Sequence, residues 1–103
     1  MTVPLGSKFD SEKPRWSLVP WRELEDVVHV LTAGARKYSD GNWMHVENAR
    51  DRYFSAAMRH LVDWQGGEKK DPETGRSHLS HAICCLLFIS WFDKEAECRN
   101  PSE

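Results

Sequence analysis

The chain has 103 residues and a formal net charge of −2, with five tryptophans, four phenylalanines and two tyrosines. That length fits one domain with a modest buried fraction, and the near-neutral charge excludes a blanket attraction to long nucleic acid or to anionic membranes. The longest apolar run, 82–92, is about half the roughly 20 residues that a membrane span needs, and three cysteines without a C-x-x-C pair make neither a disulfide framework nor a thiolate zinc site.

Residues 1–19 carry Pro4 and Pro14 and show no helical or strand period, so an extended arm is expected, ending where Pro20 opens a helix. The arm has no basic segment followed by an apolar one, which argues against a secretory signal and for a cytoplasmic protein. Phe9, Trp16 and Leu18 are expected either to pack on the helices or to bring Lys13 and Arg15 to a phosphate and Trp16 to a base.

From Trp21, the positions Leu24, Val27, Val28, Leu31, Ala35 and Tyr38 follow the 3.6-residue period of a helix. Glu23 and Asp26 suit its start, Arg36 and Lys37 its end. Ser39 to Asn42 reads as a turn. A second helix is expected from Asn48, taken as an N-cap, with Tyr53, Ala57, His60 and Trp64 on its inner face and Arg52, Ser55, Arg59 and Asp63 outside. Gly66-Gly67 breaks it. After a turn-rich loop Ser77 caps a third helix, whose run from Ala82 to Trp91 is apolar on nearly every side, as in a central helix or a seam between copies. The expected architecture is all-α: a small bundle of three main helices forming one domain over 1–103, with the arm at 1–19, a frayed tail at 94–103, and completion by a homodimer or tetramer.

The chemistry concentrates at the joint between the second and third helices. His60 and Asp63 stand three apart on one helix, and His78 and His81 stand three apart on the next, so each pair shares a helix face. The joining loop adds Glu68, Asp71 and Glu73. Near the positive end of the third helix, His78 and His81 are expected neutral, with a lone pair available. The competing reading is a satisfied core histidine at His60, an Arg59–Asp63 surface pair and solvated loop acids. No P-loop, dinucleotide glycine motif, H-E-x-x-H, nucleophile elbow, deaminase signature or tandem His-Asp is present. What remains suits a divalent metal bridging to a phosphate.

Lys13-Pro14-Arg15, Gly34-Ala35-x-Lys37-Tyr38 with Asn42-Trp43, Arg52-Tyr53, Arg59-His60, Gly67-Glu68, Asp71-Pro72-Glu73-x-Gly75 and His78-x-x-His81-Ala82 occur in this order between Lys8 and Trp91. In these the chain resembles the short phage and prophage domain named for dATP/dGTP diphosphohydrolase, which is grouped with the MazG-like all-α nucleotide pyrophosphohydrolases. The resemblance implies metal-dependent cleavage of a purine deoxynucleoside triphosphate to monophosphate and pyrophosphate. It points to Lys13, Arg15, Lys37 and Arg59 for the phosphates, and to Trp16, Tyr38, Asn42 or Trp43 for the nucleoside. For catalysis it points to His60, Glu73, His78 and His81, and for the metal to Glu68, Asp71, Glu73, His78 and His81.

The MazG-like relatives use E-x-x-E and E-x-x-D, a carboxylate set suited to Mg²⁺. His60-x-x-Asp63 and His78-x-x-His81 stand in that place here, and imidazole suits Mn²⁺, Co²⁺ or Zn²⁺ better. Three readings follow: a different metal, histidines on phosphate or ribose with Glu68, Asp71 and Glu73 as the ligands, or a site without turnover. The last corresponds to a phage protein that sequesters a nucleotide signal of host defence. A helical interaction module is a further alternative, and it leaves the His and acid cluster unexplained.

Overall fold

The computed structural model of the chain describes residues 3–99, and its regular structure is helical throughout: α1 (Trp21–Lys37), α2 (Ala49–Gln65) and α3 (His78–Arg99), with 3-10 turns at Trp16–Leu18 and Asn42–His45. Among the described residues there is no strand. A lone antiparallel bridge between Lys70 and Ser77 closes the neck of the α2–α3 loop. The chain is all-α, as its periodicity predicts.

Local chemistry sets each boundary. Pro20, with φ −75°, supplies the carbonyl that accepts from the Glu23 and Leu24 amides at the start of α1. At the end of α2 the Gly67 N–H donates to the Trp64 carbonyl and the Glu68 N–H to the Asp63 carbonyl, both about 3 Å, with Gly67 at φ 109°. This paired closure needs a left-handed residue where glycine stands, and it folds Glu68 back against the helix it has just left. Ser77 caps α3 as expected, its Oγ accepting from the Leu79 N–H at 3.0 Å. Asn48 does not cap α2. It sits at φ 54°, ψ 39° and makes no side-chain bond to the helix, because a capping side chain must start from extended backbone to reach the first amides.

α3 is the central element: α1 and α2 both pack on it. α2 and α3 run antiparallel, with Arg50 Nε on Asp93 Oδ1 at 3.0 Å at one end and His60 beside His78 at the other. The α1 side centres on Val27, Val30 and Cys84, with Leu24, Leu31 and Phe88 around them. Val28, placed by period on the α1 stripe, is half exposed instead, because a single neighbouring helix covers only the middle of that stripe. Burial pushes the Cys84 thiol up to about 12, so it is an inert apolar filler, as its sequence context predicts.

Two terminal expectations change. Residues 94–99, expected to fray, continue α3, and residues 100–103 lie outside the described residues, as do residues 1 and 2 of the arm. The described arm has no regular element before its 3-10 turn, but two backbone turns bend it, closed by the Ser7 N–H on the Pro4 carbonyl and the Lys13 N–H on the Asp10 carbonyl, and Phe9, Trp16 and Leu18 stay largely exposed rather than packing on the helices. No helix of the described residues is long and apolar enough to cross a membrane. The radius of gyration is 18.4 Å, against about 13 Å for a compact domain of this length, because the arm stands away from the helices, and on the helices Phe54, Met58, Val62, Leu86 and Leu87 are about half exposed or more.

Candidate functional site

Because α1 and α2 both lean on α3, a groove of about 1700 Å³ opens between them. Its floor is α3, through His81, Cys84, Cys85 and Phe88. Lys37 and Tyr38 from α1 and Arg52, Tyr53, Arg59 and His60 from α2 stand in its walls, and the loop adds Asp71, Glu73 and Thr74.

One end of the groove is the histidine cluster. His60 Nδ1 lies 2.9 Å from His78 Nδ1, and the His60 ring stacks on His81 with centroids 4.6 Å apart. His78 is only 2% exposed, and its Nε2 meets Glu68 Oε1 at 2.7 Å. His81 Nε2 meets Thr74 Oγ1 at 2.7 Å. Asp71 serves two roles. Its Oδ1 accepts from the Glu73 and Thr74 amides at 2.8 and 3.2 Å, which shapes the turn, while its Oδ2 faces His60 Nδ1 at 3.9 Å. Among the described residues no buried polar side-chain atom lacks a partner, so the cluster is satisfied as it stands.

The electrostatics favour neutral rings. Burial lowers His60, and the neighbouring His81 and His78 lower it further. Burial likewise lowers His81, against the pull of Asp71. At Asp71, burial pushes upward, but the Thr74 and Glu73 amides and the two imidazoles more than offset it, so the carboxyl sits below its usual range. Neutral imidazole beside ionised carboxylate is a metal-binding combination. His60, Asp71 and His78 each offer a donor atom with all three within 4.8 Å, and Asp63, Glu68 and His78 form a second, more exposed set.

The loop also braces α1. Lys37 Nζ reaches Glu73 Oε1 at 2.8 Å, and Asp26 accepts from Ser80 Oγ at 2.6 Å and from Arg76 Nη1 at 3.2 Å. The Ser80 hydroxyl, opposed by burial and aided by Arg76, holds the Asp26 carboxyl below its usual range. Glu73 thus stands against a lysine across the groove rather than among the histidines.

The other end is aromatic. Trp43 stacks on Phe88 at 4.4 Å and 13° and meets Trp91 and Phe92 edge-on, while Tyr53 meets Phe88 edge-on at 5.0 Å. With its ring committed to Phe88, Trp43 belongs to the wall. Asn42 and an exposed Tyr38, with Lys37 Nζ 5.4 Å over its ring, flank it.

The structure therefore brings together His60, His78, His81, Glu68 and Asp71, with Glu73, Lys37, Tyr38, Asn42, Trp43 and Arg59 around the same groove. It does not bring Lys13, Arg15 or Trp16 there; none of them lines the groove, and Trp16 is 70% exposed. Thr74, Tyr53 and Arg52 are groove residues absent from the sequence-derived site set. Only the Arg52-Tyr53 motif carried a signal, and Thr74 reads in sequence as an ordinary turn residue.

No solved structure matches the chain. A protein of Salmonella phage PMBT28 named dATP/dGTP diphosphohydrolase is 37% identical over 86 residues, covering 84% of this chain but 29% of the relative, so the chain spans less than a third of that protein's length. The family model for the N-terminal part of dATP/dGTP diphosphohydrolase matches residues 5–100. With that match over nearly the whole length, the chain belongs to the dATP/dGTP diphosphohydrolase N-terminal family.

Proposed function

We propose that the chain handles a purine deoxynucleoside triphosphate in this groove and cleaves it to monophosphate and pyrophosphate. The observation that supports this reading is the groove's two-ended chemistry: Asp71 and three histidines at one end, aromatic rings at the other. Tyr53 to His60 on α2, and His81 to Phe88 on α3, are each seven residues apart in number. At 1.5 Å per residue the ends lie about 10 Å apart, the reach of a nucleotide from base to outer phosphates. Lys37, Arg52 and Arg59 line the same groove and supply positive charge to meet the phosphates. Tyr38 and Tyr53 offer exposed or half-exposed ring to the base, and Asn42 offers an amide to its edge.

The donor set fits a divalent ion held by His60, Asp71 and His78, with Mn, Co or Zn better suited to its two imidazoles than Mg. Such an ion neutralises phosphate oxygens and makes a bound water more acidic. The residues do the rest. Asp71 keeps its charge through the turn amides. His81, a ring kept neutral by burial and held by its contact with Thr74 Oγ1, is the base that takes a proton from the attacking water. Lys37 and Arg59 position the phosphates.

One observation favours the alternative, a nucleotide-binding phage protein that sequesters a signal of host defence without turnover. The donor triad holds one carboxylate, Asp71, where the MazG-like enzymes that the chain resembles present four. Incubation with nucleoside triphosphates and with cyclic or ADP-ribose-type nucleotides, under Mg²⁺ and then Mn²⁺, separates the readings. Monophosphate plus pyrophosphate supports the hydrolase. Unchanged nucleotide retained by the protein supports sequestration, and neither product nor retention sinks both.

Self-association belongs to the same reading, with host cytoplasm as the place of action. On α2, Phe54, Met58 and Val62 recur every four residues on the outer flank. On α3, Leu79, Ile83, Leu86 and Leu87 lie on the side opposite the groove floor. Each is a third to two-thirds exposed. Together they present on the order of 600 Å² of apolar surface, approaching the roughly 800 Å² per partner of a stable pair. A second copy related by a two-fold axis covers this seam and leaves both grooves open.

A further inference from the structure

Three of the acids that the sequence offers as metal ligands lie in the α2–α3 loop, and the structure gives them different work. Glu73 pairs with Lys37, and Asp71 turns Oδ2 toward His60. Glu68 lies on the far side of His78, with Oε1 2.7 Å from Nε2, while the other nitrogen of that ring, Nδ1, lies 2.9 Å from His60 Nδ1. Both nitrogens of a nearly sealed ring are therefore engaged, and the two contacts together fix where the hydrogens are. A carboxylate only accepts, so His78 Nε2 carries the hydrogen and donates it to Glu68. In a neutral imidazole Nδ1 is then bare and accepts, so His60 donates from its own Nδ1.

We infer that Glu68 is a positioning residue rather than a metal ligand: it locks His78 in the Nε2–H form and so presents the Nδ1 lone pair to a divalent transition metal, with His60 Nδ1 and Asp71 Oδ2 as the other protein donors. This rests on the reading of the cluster as a metal site, but not on catalysis. The spacing agrees with it. Nitrogens bound at about 2.1 Å and at right angles around one ion lie about 3 Å apart, and the two Nδ1 atoms lie 2.9 Å apart. Two imidazoles and one carboxylate select Mn²⁺, Co²⁺ or Zn²⁺ over Mg²⁺. The carboxylate–histidine pair behind the ligand is the arrangement that fixes ring orientation and strengthens the donor.

When the ion takes His60 Nδ1, the hydrogen there passes to water and water returns one to His60 Nε2, so His60 changes tautomer and no net proton is released. His60 Nε2 has solvent to exchange with, since the ring makes its one side-chain hydrogen bond through Nδ1 and no buried polar atom among the described residues is unpartnered. His78 keeps its tautomer throughout, because Glu68 holds it. A metal on the other donor set, Asp63, Glu68 and His78, demands the opposite: His78 Nε2 bare and its hydrogen on Nδ1.

Nitrogen-15 NMR of the histidine rings in the full chain, free and with Zn²⁺, reads these hydrogens directly and needs no substrate. The expected result is His78 as Nε2–H in both states and His60 passing from Nδ1–H to Nε2–H. Glu68→Ala is expected to mix the His78 tautomers and to weaken Zn²⁺ and Co²⁺ binding by about 10–100-fold without changing the Co²⁺ absorption spectrum, with Glu68→Gln between it and wild type. Glu68→Ala strips the buried His78 Nε2–H of its acceptor and is expected to lower the melting temperature, whereas Glu68→Gln keeps an acceptor oxygen there; the remaining ring signals report directly whether each variant is folded. A His78 ring with hydrogen on Nδ1, free or loaded, overturns the assignment. So does a Co²⁺ spectrum altered by Glu68→Gln, which makes Glu68 a ligand. Ring signals unmoved by millimolar Zn²⁺ overturn the metal site itself. Absence of nucleotide hydrolysis with all the expected shifts present sinks the proposed activity and leaves this inference standing.

Discussion

The groove side and the outer side of the α2–α3 pair belong to the same two helices and have opposite chemistry. On the groove side stand Arg52, Arg59, His60 and His81, and on the outer side Phe54, Met58, Val62, Leu79, Ile83, Leu86 and Leu87. The imidazoles of the polar side are the better enclosed. His78 is 2% exposed and His60 and His81 are half-buried, whereas Leu86 is 54% and Val62 64% exposed. Burying polar rings while leaving leucines in water is the reverse of what the hydrophobic effect favours for an isolated domain. The difference teaches that the histidines are held inward by specific hydrogen bonds, through Glu68, Thr74 and one another, while the outer leucines are left largely uncovered by the described residues, on the surface proposed above for a second copy.

The largest test acts on the groove side. Asp71→Asn retains an oxygen for the Glu73 and Thr74 amides and removes the charge facing His60. Nucleotide hydrolysis is expected to fall by about 10³-fold, measured as pyrophosphate release, with the melting temperature nearly unchanged. A variant that hydrolyses normally moves the chemistry out of this cluster. Next in size is the outer side. Met58→Glu with Leu86→Glu places carboxylates in the seam at a cost of roughly 2–5 kcal/mol in self-association. Light scattering coupled to size exclusion should then show a monomer where wild type shows a dimer or larger. If wild type is itself a monomer at high micromolar concentration, the contrast between the two sides loses its explanation.

Much of this contrast is legible in the sequence, and the parts that are not share a physical reason. Helix positions follow from period, Ser77 reads as a cap, and Gly66-Gly67 reads as a stop, because each depends on neighbours within one turn. The joint of histidines and acids also stands out, since i,i+3 spacing fixes a common helix face. What period cannot give is the partner across space. Trp43 stacks on Phe88, 45 positions on in numbering, and Glu73 finds Lys37 on α1 rather than the histidines beside it. Val28 falls off the buried stripe because only α3 faces α1. Lys13, Arg15 and Trp16 read as a nucleotide-binding arm from composition alone, but nothing local steers them to the groove.

A gentler perturbation is pH. His60 and His81 are lowered in the folded chain, chiefly by burial, so the unfolded chain binds more protons than the folded one as pH falls toward their ordinary value of about 6.5. Their contribution to stability is complete above about pH 6.5 and is lost as pH drops from there through the lowered folded values. Denaturant melts at stepped pH should show this decline, and His81→Gln should flatten it. Mutation of an outer residue such as Met58→Ala should leave the slope alone, since no imidazole lies on that side. A slope equally changed by both variants dissolves the distinction between the two sides.

The smallest expected effect separates fold from function at the rim of the groove. Lys37 and Glu73 make a close pair, but both side chains are more than half exposed, and exposed ion pairs contribute little to stability once water and salt screen them. The pairing with Glu73 raises the Lys37 ammonium above its ordinary range, so the residue stays cationic at any pH at which the groove would meet a triphosphate. Lys37→Met keeps the aliphatic stem and removes the charge. It should leave the melting temperature where it is and weaken nucleotide affinity by about 3–10-fold, with the loss shrinking as salt rises, because what is removed is a long-range attraction at a screened site. Glu73→Gln frees the same ammonium without deleting it and should move affinity in the opposite direction. If both variants weaken binding alike, the pair works as a brace holding α1 to the loop rather than as a phosphate contact, and the groove's near wall is set by structure before it is set by charge.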